Sequence, residues 1–147
     1  MKVLFFFFVF GVYCAFGQEK DTTKIYILSE VDVAPLFPKL RIIDSLTSKQ
    51  NFEKNLRYQV LKNIEIVTNN HILNKVFVEF LIKKDGNIEV LRVRGGSKAV
   101  KESAIRAVER IEKIIPAKKD SQPVTMRSII PITFKPVIIF EFKKEYE

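Results

Sequence analysis

Residues 75–134 run through one ordered pattern: two alternating runs meeting at Asp85-Gly86, a Gly95-Gly96 break, a helical stripe, a proline-bounded loop and a last alternating run. A period of two demands strands and a period near 3.6 demands a helix, so the stretch folds as strand, strand, helix, strand. In the first run Val76, Val78, Phe80 and Ile82 share one face, with Phe77, Glu79, Leu81 and Lys83 on the other. Asp-Gly tolerates the positive φ of a tight type I′ turn. With Lys84 opposite Asn87, the pairs become Phe80 with Leu91 and Val78 with Val93, keeping apolar residues together. A three-residue loop would set Arg92 against Val78 on the buried face, so the tight turn is expected.

After the glycine pair Ser97 caps a helix whose stripe is Val100, Ala104, Ala107, Val108, Ile111 and Ile115. Glu102 with Arg106 and Glu109 with Lys113 form i, i+4 pairs on its wet side. Pro116 stops this helix, residues 117–123 are a polar connection, and residues 124–134 return to strand character. Pro131 lies inside that strand. Lacking an N–H, it places the strand at a sheet edge, where main-chain groups stay available to another strand.

Upstream, residues 25–33 alternate until Pro35 and Pro38 end any ladder, which allows a short or edge strand at most. Ser48 or Asn51 caps a helix to Asn63, with Phe52, Leu56, Val60 and Ile64 on one side. Residues 65–74 read as a loop. They hold the single histidine, His71, which has no partner residue in the sequence suited to catalysis or metal binding.

Met1-Lys2 followed by an apolar run has the layout of a secretory signal, with cleavage expected after Gly17, where Ala15 and Gly17 offer small residues. The alternative is an uncleaved anchor, the only arrangement that would associate the chain with a membrane; the run is short of the roughly 20 residues a span needs. Tyr13 before Cys14 argues against lipidation. Removal of the leader takes away the sole cysteine, excluding disulfides, thiolate nucleophiles and cysteine-based zinc sites. The organisation expected is a signal peptide at 1–17, an extension with a short strand at 18–50, one domain at 51–134 and a β-prone tail at 135–147.

The net charge of +8 is spread singly, with no basic run longer than two residues, which favours solubility over nucleic-acid binding. No paired carboxylates or supported histidine suggest an enzyme, and no cofactor or metal is expected.

Several segments taken in order resemble a known family: Asn55-Leu56-Arg57-Tyr58, the strand at 76–82 with Asp85-Gly86, Glu102-Ser103-Ala104-Ile105-Arg106-Ala107-Val108, Pro116-Ala117-Lys118-Lys119-Asp120, Pro123-Val124 and Ile130-Pro131-Ile132-Thr133-Phe134. Together they resemble the C-terminal domain of TonB, in the short form found in Bacteroidetes-type bacteria. Residues 31–38 look like the segment preceding that domain. Gln59 stands where the family usually has proline, Ser121 where glycine is common, and no proline-rich spacer follows the leader.

The resemblance implies an α+β fold, a three-stranded antiparallel sheet packed against two helices, whose last strand grips an extended segment of an outer-membrane transporter by strand addition. Carried onto this chain, the grip is Thr125, Met126, Arg127, Ser128, Ile129, Ile130, Pro131, Ile132 and Thr133. The implied setting is the periplasm and the implied role a part in energy-coupled transport; the other reading is a freestanding envelope scaffold. Residues 137–142 are β-prone and leave three arrangements open: a fourth sheet strand, a cover over the docking edge, or pairing with a second copy in a homodimer.

Overall fold

The computed structural model describes residues 24–65, 67 and 72–136. The expected leader, His71 and the tail from 137 onward lie outside the described residues. Elements follow the order β1 (Tyr26–Ile27), α1 (Ser48–Asn63), β2 (Asn74–Ile82), β3 (Ile88–Arg94), α2 (Lys98–Glu109), β4 (Lys118–Lys119), β5 (Gln122–Pro123) and β6 (Met126–Phe134). The main sheet has the order β1-β6-β2-β3, and β4 and β5 form a separate small hairpin. This is the expected α+β architecture. The fourth strand is the N-terminal β1, running parallel to β6 and making the sheet mixed.

β2 is the central strand, paired antiparallel with β3 on one side and with β6 along its whole length on the other. Its inward set, Val76, Val78, Phe80 and Ile82, is fully buried, together with Met126, Val100, Ala104 and Val108. Burying each aliphatic side chain of that kind contributes about 2 kcal/mol relative to leaving it in water. Phe52, Leu56 and Val60 of α1 join the same core, as their four-residue recurrence requires.

The two-residue type I′ hairpin loop is not what forms. Gly86 N–H donates to the Lys83 carbonyl at 2.8 Å and Lys83 N–H to Asn87 at 2.9 Å, closing a three-residue loop of Lys84, Asp85 and Gly86. Phe80 consequently faces Val90 rather than Leu91. The mismatch feared for Arg92 is avoided by a bulge: Glu79 faces Arg92, Leu91 is the extra residue, and Val78 regains Val93. Leu91 and Arg92 both point outward, so no charge is buried. Asp85 stabilises the loop by accepting Asn87 N–H at 2.9 Å.

Three boundaries also differ. Thr47, not Ser48 or Asn51, caps α1 in a capping box with Gln50, and Asn51 is instead buried, accepting Ile43 N–H and donating to the Ile43, Leu46 and Thr47 carbonyls. α2 ends at Glu109 rather than at Pro116; Ile111 still packs in the core, but Ile115 bonds to Leu36 in a bridge and is half-exposed. Arg106 instead reaches Glu65 at 3.1 Å, and Lys113 lies beyond the helix. The polar connection contains the β4–β5 hairpin, with Asp120 at φ 49° and Ser121 at φ 63° in the turn. Ser97 does cap α2.

The segment before α1 is part of the packed unit. Val31, Ala34 and Phe37 are buried, and Phe37 stacks on Phe52 with ring centroids 6.0 Å apart. Main-chain bonds tie Val33 to Lys118 and Leu36 to Ile115. The Asp32 carboxylate accepts from Lys119 Nζ at 2.7 Å and from Asp120 N–H at 2.8 Å, holding the small hairpin's turn.

Candidate functional site

An antiparallel ladder alternates bonded and non-bonded pairs, and a proline fits only where its missing N–H would point away from the partner strand. Pro131 stands opposite Phe77, which marks that pair as non-bonded toward β2. By alternation Arg127, Ile129 and Thr133 also turn their main-chain groups to the outer side of β6. The Tyr26 N–H donates to the Thr125 carbonyl at 3.0 Å, which agrees, because Thr125 has the same parity.

The residues singled out on this strand divide into distinct roles. Thr125 precedes β6, and β1 covers the outer side of Met126 and Arg127 through the pairs with Tyr26 and Ile27. Those three residues are not open to another strand. Beyond Arg127, no described strand pairs with the outer side of β6. There Ile129 and Thr133 present N–H and C=O groups and Pro131 presents a C=O. Ile130 and Ile132 are buried against α1 and the core, Ser128 is half-buried, and Ile129, Pro131 and Thr133 direct side chains to the opposite, uncovered face of the sheet. Asp85 and Gly86 lie at the β2–β3 loop, far along β2 from the Pro131 pair, and shape the hairpin.

The uncovered face carries Phe77 and Ile129, 42% and 58% exposed, around a shallow depression of about 640 Å³ bounded also by Glu79, Arg92, Arg94 and Arg127. Glu79 is its centre. Arg92 bonds Glu79 through Nε at 3.1 Å and Nη2 at 2.5 Å, and Arg127 lies 3.6 Å away. The Arg92 hydrogen bond holds the Glu79 carboxyl below its ordinary value, with the charges of Arg92, Arg127 and Arg94 adding to the effect. One carboxylate thus brings together side chains of three strands. This cluster escaped sequence reasoning, although Glu79 among strand arginines was a visible signal.

On the helix side, the outer edge of β6 is flanked by a groove of about 210 Å³ between the strand and α1. Its walls are Leu28, Phe52, Leu56 and Ile130, with Glu53 and Arg57 exposed at the rim. Among the described residues no cluster of His, Cys, Asp and Glu could hold a metal ion, and no helix is long and apolar enough to cross a membrane.

Fold and edge together define a small α+β module in which no described strand covers the outer side of β6 beyond the short β1. The family model for the Gram-negative bacterial TonB protein C-terminal matches residues 65–136, spanning β2 to β6, and these residues form a domain of the TonB C-terminal family. β1 and α1 fall outside the match. No curated protein and no solved structure matches the chain.

Proposed function

We propose that this chain is a TonB-like protein of the periplasm that binds an extended segment of outer-membrane transporters by adding it as a strand to β6, contributing to energy-coupled transport. The single observation that carries the proposal is the outer side of β6 beyond Arg127, where alternation exposes the main-chain groups of Ile129, Pro131 and Thr133 and no described strand pairs. Membership of a family whose members work with outer-membrane transporters in the cell envelope supplies the partner class. Main-chain bonding grips any extended segment without needing a catalytic group, and side chains alternating above and below it add selectivity.

The test is titration of isotope-labelled full chain with peptides from the periplasm-facing segments of such transporters, read by amide exchange. Slowed exchange at Ile129 and Thr133 on peptide addition is the expected result. Amides shielded to the same degree with and without every peptide would sink the proposal.

A further inference from the structure

We propose that the face of the sheet turned away from the helices is a contact surface for anionic lipid, with Arg94 and Arg127 receiving lipid phosphates and apolar side chains entering between the headgroups. Strand addition uses the edge of β6 and this contact uses the face, so the two are independent.

Pairing fixes which side chains share the face, because partners in register point to the same side of a sheet. Arg94, Phe77 and Pro131 form one row, Arg92, Glu79 and Ile129 the next, and Glu89, Leu81, Arg127 and Ile27 a third. The bulge turns Leu91 to the same side. Ile27, Phe77, Leu91 and Ile129 are between 42% and 58% exposed and spread from β1 at one margin to β3 at the other. Three strand spacings make that width roughly 15 Å. Apolar side chains dispersed over such a plane suit shallow insertion into a lipid surface, whereas a protein partner needs a buried central anchor.

Charge names the occupant. Lys75, Lys83, Arg92, Arg94 and Arg127 stand on this side against Glu79 and Glu89. Lys83 pairs with Glu89 and Arg92 with Glu79, which leaves Lys75, Arg94 and Arg127 as a surplus of positive charge. Arg127 lies 3.6 Å from the Glu79 carboxylate, too far for a hydrogen bond. Neither a hydrogen bond nor an ion pair engages Arg94 among the described residues; its charge reaches Glu79 only through space. Both guanidiniums border the depression around Glu79, where their N–H groups can meet the oxygens of a phosphate. A second copy of the chain would set the surplus against itself. Nucleic acid lacks a stacking platform, because Phe77 is the one aromatic side chain in these rows and Lys75 Nζ already lies 5.3 Å from its ring centre. The basic residues are scattered singly in the sequence and gather only when the strands align, giving a membrane contact that needs no anchor.

Sedimentation of the full chain with vesicles tests the idea, comparing phosphatidylcholine alone with phosphatidylcholine carrying about one-third phosphatidylglycerol. An apolar leader would favour both vesicle types alike, so the ratio of the two affinities is the readout. The anionic vesicles should bind about tenfold more tightly or better, as expected for two or three charges at the surface. Arg94→Gln should weaken that binding about fivefold, the share of one positive charge, whereas Lys54→Gln, which removes an exposed charge from α1, should change it by less than about twofold. Ile129→Ser should weaken it several-fold at every salt concentration. In the wild-type chain spin-labelled lipid should broaden the methyl signals of Ile27, Leu91 and Ile129 and spare exposed Leu61 on α1, a readout that needs no variant. Equal binding to both vesicle types, a Lys54→Gln loss matching that of Arg94→Gln, or broadening at Leu61 in place of Ile129 would overturn the assignment. Displacement of the vesicles by an excess of soluble glycerol phosphate would overturn it too, by showing a site for a free anion. None of these outcomes touches strand addition, which the peptide titration tests separately.

Discussion

The Gly86 carbonyl accepts the Ile114 N–H at 3.1 Å, joining the β2–β3 loop to the segment that follows α2. Gly86 holds φ at +84°, and a Cβ built there would overlap the Ile114 carbonyl oxygen. Both the backbone conformation and the close approach require glycine. Gly86→Ala should destabilise the fold by about 2–4 kcal/mol, combining left-handed strain with a forced separation of the loop from Ile114. Urea unfolding measures this, and a loss below about 1 kcal/mol would show that the contact is dispensable.

The two sides of β6 should respond differently to proline. Ile130 bonds toward β2 and Ile129 toward the outside, so Ile130→Pro should cost about 3 kcal/mol or more. Ile129→Pro should leave stability within about 1 kcal/mol of wild type, because the N–H it removes bonds to no described strand. The same Ile129→Pro variant should lose peptide binding. Equal destabilisation by the two variants would contradict the alternation inferred from Pro131.

Ser121 at φ 63° occupies a left-handed position that glycine adopts without strain. Ser121→Gly should therefore raise stability by up to about 1 kcal/mol, the left-handed penalty less the extra entropy of an unfolded glycine. The neighbouring Asp32→Asn should act in the opposite direction, weakening the bonds to Lys119 and Asp120 and lowering the melting midpoint. Calorimetry on both variants decides the matter; a lower midpoint for Ser121→Gly would show that the serine side chain is needed in the turn.

Acid should unfold the protein through its carboxylates. Hydrogen bonds from Lys119 to Asp32, Arg110 to Glu65, Arg92 to Glu79, Asn87 to Asp85 and Lys39 to Glu112 are the leading causes that hold these groups below their ordinary values. A folded pKa below the unfolded one means that the unfolded chain takes up protons first as pH falls. The stabilisation is complete above the ordinary values of 3.8 for aspartate and 4.5 for glutamate and disappears as pH falls through the folded values. The melting midpoint should thus vary little between about pH 7 and pH 5 on account of these groups and decline below about pH 4. Glu79→Gln should make that decline shallower. A midpoint insensitive to acid down to about pH 2 would show that these pairs add nothing to the folded state.

The strands and helices were legible wherever a period ran uninterrupted. Val76, Val78, Phe80 and Ile82 announce their shared face, Phe52, Leu56 and Val60 announce theirs, and Pro131 alone implies a strand side with no bonded partner. The cap of α1 was missed locally, at Thr47 with Gln50, whereas at the β2–β3 loop and the end of α2 a distant residue intervenes. The loop at Asp85-Gly86 took the longer form, with Gly86 docked on Ile114, and the burial of Arg92 that such a loop would impose is prevented by a bulge at Leu91. α2 stops before Pro116 because the chain beyond Glu109 bonds to Gly86 and Leu36 instead of continuing the helical ladder. The Glu79 cluster gathers side chains from three strands, and no linear pattern ranks such a meeting.

Sequence alone determined which residues seek the core, how the elements follow one another, and that the last strand has a side unable to bond in full to a neighbour. These properties depend on side-chain period and on the missing proline N–H, both local. Tertiary structure alone decided that β1 covers the start of that strand, that past Arg127 no described strand pairs with its outer side, and that Leu28 and α1 wall a groove beside it. Such features arise when segments far apart in the chain compete for the same hydrogen bonds and apolar surface, and only the folded arrangement settles that competition.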